Sequence, residues 1–109
     1  MLNAVNENKI TIADIIKLCS TNPAKIFKIK NKGEIKVGYD ADLTIIDIEK
    51  TKVIDDEMLN TKCKWSPFDG WELQGAPIIT IVNGNIVFDE DNPHNKININ
   101  VKGKELVFE

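Results

Sequence analysis

Few side chains in this 109-residue chain have the types and spacing that chemistry needs. A hydrolytic zinc site is typically built from three or more imidazole, carboxylate or thiolate ligands. The chain has a single histidine, His94, inside the polar run Asp91–Lys96, where it reads as a solvated surface residue. It contains no H-x-H and no HExxH pattern. Cys19 and Cys63 are isolated, and their spacing suits neither a metal pair nor a disulfide framework, so both read as reduced thiols. Asp40 and Asp42 stand two apart just before an apolar run. Alternate residues of a strand share a face, so a divalent cation between them can be imagined. The better reading is that they close a turn by accepting backbone N–H groups. The glycines at 33, 38, 70, 75 and 84 are scattered among turns and form no phosphate cradle. No nucleophile–base pair is recognisable. The residues therefore supply no catalytic, cofactor-binding or metal-ligating constellation.

One segment stands apart. Lys62–Gly75, KCKWSPFDGWELQG, holds both tryptophans, Trp65 and Trp71, with Phe68 between them. Pro67 and Gly70 keep it from being a regular helix or a central strand. Long irregular loops are uncommon in compact domains and are usually functional or docked. Its aromatic side chains need a surface to cover, and that surface is expected to lie largely outside this chain.

Bulk properties narrow the function classes. The chain is too short for a barrel enzyme of about 250 residues. Apolar content of 42% and charged content of 28% belong to a globular protein. All 14 basic residues are lysine, dispersed among 17 acids, for a net charge of −3. A nucleic-acid partner needs a concentrated basic patch, so none is expected. Arginine is the usual bidentate clamp for carboxylates, and a site for a small dicarboxylate would have to borrow one. No stretch approaches the ~20 apolar residues of a membrane span, and the N-terminus lacks a signal peptide's pattern. A cytoplasmic location is expected.

The elements that must position these residues divide into two groups. Leu2–Val5 reads as the tail of a helix. Thr11 is an N-cap with Asp14 at N3, and Ile12, Ile15, Ile16 and Cys19 form an apolar stripe at helical spacing. Asn22-Pro23 repeats the punctuation and predicts a second N-cap, followed by a short helix with Ile26 and Phe27 facing inward. Strands follow. Leu43–Asp47 reads as a strand buried on both faces, Lys52–Ile54 as a shorter one, and Asp55–Leu59 as a single helical turn. Ile78–Val82 and Ile86–Phe88 flank Asn83-Gly84, a strong type I′ hairpin signal. Asp89–Lys96 reads as an exposed connector. Ile97–Val101 and Glu105–Phe108 bracket Lys102-Gly103 as a second hairpin. The expected class is α+β: N-terminal helices, then an antiparallel-rich sheet.

Four segments in order carry a family resemblance: STNPAKIF (Ser20–Phe27), GEIKVGYDADLTIID (Gly33–Asp47), the aromatic loop Lys62–Gly75, and PIITIVNGNIVF (Pro77–Phe88). Together they resemble the C-terminal end of a dihydroorotase of the amidohydrolase superfamily. N-P-A-K and G-x-D-A-D-L are shared across the cyclic amidohydrolases, including hydantoinases and allantoinases, whereas K-W-S-P-F-D-G-W looks most like dihydroorotase. The resemblance implies a metal-dependent (β/α)8 barrel beside a composite β-sandwich, with zinc activating a water. It implies reversible cyclisation of N-carbamoyl-L-aspartate to dihydroorotate in pyrimidine biosynthesis. Residues 1–32 would be the barrel's terminal helices, and residues 33–109, with strands from Ile35 onward, the C-terminal part of the sandwich. The family's metal ligands and carboxylate-binding arginine lie upstream of the matched motifs, so none carries over to a residue here. The chain is then expected to be a fragment, inactive and zinc-free alone, whose partners are the missing barrel and N-terminal strands. Unpaired strand edges would favour a homo-oligomer. The alternatives are a non-catalytic β-domain or subunit that docks on a separate barrel, or a parent of the allantoinase or hydantoinase type.

Overall fold

The computed structural model describes residues 1–92, 94 and 96–109. Its first third is helical: α1 (Leu2–Asn6), α2 (Ile12–Ile16), a widened π turn (Lys17–Thr21) and α3 (Asn22–Ile26). Local chemistry starts α2. The Thr11 hydroxyl accepts the Asp14 N–H at 3.1 Å, and the Asp14 carboxylate accepts the Thr11 N–H at 2.9 Å. This capping box satisfies two N–H groups that a helix start otherwise leaves bare. Replacing Thr11 by alanine is expected to cost about 1 kcal/mol, read as lost helical circular dichroism and faster exchange of the Asp14 amide.

The second cap at Asn22 does not form. Asn22 is itself helical (φ −68°, ψ −46°) and no side chain caps α3. The backbone runs on from α2 through the π turn into α3. Pro23 explains the widening: it has no N–H to give the carbonyl four residues back, and its ring would collide with that carbonyl. A π turn spaces the two apart. Ile26 and Phe27, expected to face inward, are exposed on this chain. The reason is that the packing of α3 is chiefly against the neighbouring π turn.

The sheet is an antiparallel meander in the order β1 (Leu43–Val53), β2 (Glu72–Val82), β3 (Asn85–Asp89). The α+β class therefore holds, with three corrections. Strand structure begins at Leu43 rather than Ile35, because residues 33–42 run as turns between Gly33 and Gly38, both at positive φ. The two expected strands at Leu43–Asp47 and Lys52–Ile54 are one strand, broken in register between Asp47 and Thr51. The Asp47 carboxylate accepts the Glu49 and Lys50 N–H groups there, at 2.9 and 3.3 Å, and throws residues 48–50 out of the ladder. The strand is also not buried on both faces, since Ile45 and Ile48 are exposed and β1 is an edge.

The Asn83-Gly84 hairpin forms as read, with φ of 49° and 79° at its two central residues. The helical turn after β1 is a 3-10 turn, Asp56–Met58. The second hairpin in the tail does not form among the described residues. Instead, Ile97 bridges Phe88 at the free edge of β3, and Phe108 bridges Ile29. The Lys30 N–H donates to Val107 at 2.8 Å and the Glu109 N–H to Lys28 at 2.9 Å, so the chain end clasps the loop after α3. These long-range partners outbid a local turn at Gly103. Pro93, part of the expected connector, lies outside the described residues, and His94 is exposed.

Packing is where the fold departs from an ordinary domain. Ala76 is the one buried hydrophobic residue among those described, at 7% exposure. The accessible surface is 8399 Å², where a compact monomer of this mass exposes about 6,100 Å². The radius of gyration is 15.4 Å, against about 13 Å for a compact chain of this length.

Candidate functional site

The aromatic loop is held by several hydrogen bonds. It is tied to the 3-10 turn after β1 by two aspartates. Asp56 Oδ1 accepts the Ser66 N–H at 2.8 Å, and Asp69 Oδ1 accepts the Asp56 N–H at 3.0 Å. Ile54 exchanges main-chain bonds with the loop's far end: its N–H donates to Trp71 at 2.9 Å, and its carbonyl accepts from Gly70 at 2.8 Å. The Trp71 N–H donates to the Phe68 carbonyl at 2.9 Å, closing a turn that puts Gly70 at φ 78°. The Phe68 and Trp71 rings then meet edge to face, with centroids 5.4 Å apart. The described residues leave about half of each uncovered. Trp65, Phe68 and Trp71 are 65%, 49% and 55% exposed. The later part of the segment, from Glu72, is not loop at all but the start of β2.

The carboxylate pair has a different job from a cation site. Lys32 Nζ lies 3.2 Å from Asp40 and also bonds Asp42, so the ammonium takes the place a metal would need. Asp42 Oδ1 also accepts the Asn83 N–H at 2.8 Å. The turn-closing reading of Asp42 is thus right in kind, but its backbone partner is in the β2–β3 hairpin rather than next door. Lys32 was invisible to sequence reasoning, because its contact is made only after the chain turns at Gly33.

The Lys32 hydrogen bond, then the Asn83 N–H, holds the Asp42 carboxyl below its ordinary range. Asp42 in turn raises Lys32 above its usual value. A carboxylate with a depressed folded pKa stabilises above its unfolded value and loses that contribution as pH falls through the folded one. A raised lysine contributes fully below its unfolded value and fails only as pH rises through the folded one. The joint is therefore expected to be constant from about pH 5 to 9 and to open in acid below the ordinary aspartate value of ~3.9. An NMR titration of the Asn83 amide checks this, since its shift should break below that value. Both side chains are partly solvated, so the ion pair contributes only about 0.2–1 kcal/mol. Asp42→Ala should cost more than Asp42→Asn, whose remaining oxygen can still accept from Asn83.

A third joint fixes α1 to the sheet. Asn6 Nδ2 donates to the Ile48 carbonyl at 2.8 Å, in the β1 bulge, and reaches Gln74 at 3.3 Å. Asn3 Oδ1 accepts the Gln74 N–H at 2.9 Å. No motif announced these two asparagines. Their sequence signal is only their place on one helix face.

Two modest cavities accompany these joints. One, about 270 Å³, lies between α3 and the following loop and is lined by Lys25, Lys28, Lys32, Glu34 and Tyr39 among others. The other, about 250 Å³, is apolar and lies beneath the 3-10 turn, against Ile54, Met58, Leu59, Leu73 and Phe88. Neither gathers a nucleophile and a base. Among the described residues, no three histidines, cysteines, aspartates or glutamates are grouped to hold a metal ion. Cys19 and Cys63 are free and exposed. Hydrogen bonding beside Thr61 holds the Cys63 thiol below its usual range, with no base at hand to use it.

Comparison with known proteins gives this arrangement a context. The model of the "Amidohydrolase family" matches residues 1–87. The dihydroorotase of Pyrococcus horikoshii is 47% identical over 91 residues, which cover 84% of this chain and 22% of that protein. The dihydroorotase of Methanosphaera stadtmanae is 47% identical over 92 residues, covering 84% of this chain and 21% of that protein. Among solved structures, the L-hydantoinase of Arthrobacter aurescens superposes with a TM-score of 0.79 at 33% identity, over 89% of this chain and 22% of that one. The chain thus spans about a fifth of the length of the relatives it matches. All four resembling segments, including the aromatic loop, fall within or at the edge of the family match, and the chain belongs to the amidohydrolase family, with a sequence of the dihydroorotase-like kind.

Proposed function

We propose that this chain is the C-terminal share of a zinc-dependent cyclic amide hydrolase of the dihydroorotase type. Such an enzyme interconverts N-carbamoyl-L-aspartate and dihydroorotate in pyrimidine synthesis. The observation that carries the reading is the 47% identity to a dihydroorotase across a segment that includes the aromatic loop. On this reading residues 1–32 are the last helices of a (β/α)8 barrel. Residues 33–109 are part of a β-sandwich, and the enzyme works in the cytoplasm.

Zinc in such a site supplies an activated water and polarises the amide carbonyl. The residues of this chain do not fit it. The Asp40–Asp42 carboxylate pair is occupied by Lys32, and no ligand trio exists among the described residues. The metal and the substrate carboxylate would be held by residues outside this chain, which alone has no turnover. What the chain contributes is support: helices, sheet and loop locked into one body by the Asn3/Asn6, Lys32 and Asp56/Asp69 joints.

A hydantoinase-type parent is the second reading, favoured by the superposition on L-hydantoinase. The lower identity of 33% there sets it behind dihydroorotase.

The test is a graft. In the full-length Pyrococcus horikoshii dihydroorotase, the matched segment is exchanged for its counterpart from this chain. Dihydroorotate turnover within about tenfold of the parent enzyme, a loss of ~1.4 kcal/mol at most, is expected. A soluble, folded, metal-loaded graft with no turnover would refute the reading.

A further inference from the structure

The aromatic loop joins two properties that seldom coincide on a free surface. It is internally ordered, through the Asp56–Ser66, Asp69–Asp56 and Ile54–Gly70–Trp71 bonds. It nevertheless leaves three aromatic side chains about half exposed or more. Ordering a loop costs conformational entropy, and the described residues bury the three rings only in part. Rigid, exposed tryptophans that lose little freedom on docking are what interface anchors consist of.

The surface to be covered is large. The chain exposes about 2,300 Å² beyond a compact monomer of its mass, where a standard interface takes only about 800 Å² from each partner. The loop's surroundings set the partner's chemistry. Asp55, Asp56, Glu57, Asp69 and Glu72 outnumber Lys62 and Lys64, which disfavours phosphate-bearing surfaces. An apolar protein surface fits. The relatives say which one: about four-fifths of a dihydroorotase lies outside the matched segment.

We infer that Trp65, Phe68 and Trp71 are the preorganised anchor by which this chain docks on the remaining portion of a dihydroorotase-type amidohydrolase, and that they do not contact substrate. The inference rests on the proposed function for the partner's identity.

The test uses the same graft, carrying Trp65→Ala or Trp71→Ala, together with the isolated chain. Each substitution should lower the graft's thermal midpoint by about 2 °C or more, as loss of a buried anchor does in an enzyme of this size, with the KM for dihydroorotate unchanged. In the isolated chain both indoles should be open to acrylamide quenching. An unchanged midpoint with a raised KM would overturn the inference in favour of substrate contact. Shielded indoles in the isolated chain would also overturn it: in a monomer because the chain covers them itself, in a dimer because a second copy is the occupant. If the graft is insoluble, the quenching experiment decides. An inactive graft whose midpoint still falls with Trp71→Ala would refute the dihydroorotase reading and leave the anchor standing.

Discussion

Gly75→Ala is expected to be among the most damaging single substitutions in this chain, costing about 3 kcal/mol or more. Gly75 sits at φ 96°, where an alanine is strained by about 1–2 kcal/mol. A Cβ built there would lie 2.5 Å from Leu2 Cβ and 3.4 Å from the Leu2 carbonyl carbon. Those atoms belong to the start of α1 and cannot swing away as a flexible tip would. Relief requires α1 to lift from β2, which breaks the Asn3–Gln74 and Asn6–Ile48 hydrogen bonds. Gly84→Ala is the matched control: it also has positive φ, at 79°, but its Cβ would meet open space, so only the backbone strain remains. Urea unfolding of the graft measures both. If Gly75→Ala is no worse than Gly84→Ala, the close approach of α1 to the sheet is wrong. Gly33→Ala should follow Gly75. Its Cβ would meet Ala24 Cβ at 2.5 Å, and the Ser20 and Thr21 hydroxyls would lose the Gly33 carbonyl they both reach at 3.2 Å.

The second large effect concerns the chain by itself. Soluble monomers rarely expose contiguous apolar patches beyond a few hundred Å². Here Ile35 and Val37 are 91% and 99% exposed, alongside the α3 face and the aromatic loop. Among the described residues the outer edge of β1 pairs with no strand, which is a template for further strand pairing. The isolated chain is therefore expected to bind an apolar dye strongly and to self-associate as its concentration rises. Sedimentation velocity over a concentration series, with dye titration beside it, checks this. A chain that stays monomeric and binds no dye would show that its apolar faces are covered after all.

What could be read from sequence was what is decided locally. The Thr11–Asp14 box, the Asn83-Gly84 turn and the turn after Asp55 each depend on residues within a few positions of one another, and each formed. Asn22-Pro23 misled because the same dipeptide suits a helix start and a widened turn inside a running helix. Only the spacing of the preceding carbonyls tells them apart. The split of β1 into two strands failed for a related reason: Asp47 makes a bulge without ending the strand. The tail hairpin failed because Ile97 and Phe108 found distant partners, Phe88 and Ile29, that a local pattern cannot show. Burial was the hardest property to foresee. An apolar stripe such as Ile12, Ile15 and Ile16 says that a face wants cover but not whether this chain provides it. Of the site, the loop's importance was legible from its tryptophans. The aspartates that order it, and the lysine that fills the Asp40–Asp42 pair, needed the folded chain.

On the proposed reading, this chain is a share of a larger body and does not hold a full core of its own. Native-state hydrogen exchange on the isolated chain tests it most directly. Even the β1–β2 ladder is expected to open at well under the ~5 kcal/mol typical of a stable domain. In the graft, the same amides should rise to the protection of the surrounding enzyme. A monomeric isolated chain whose ladder amides exchange only by cooperative global unfolding, at 5 kcal/mol or more, would contradict it.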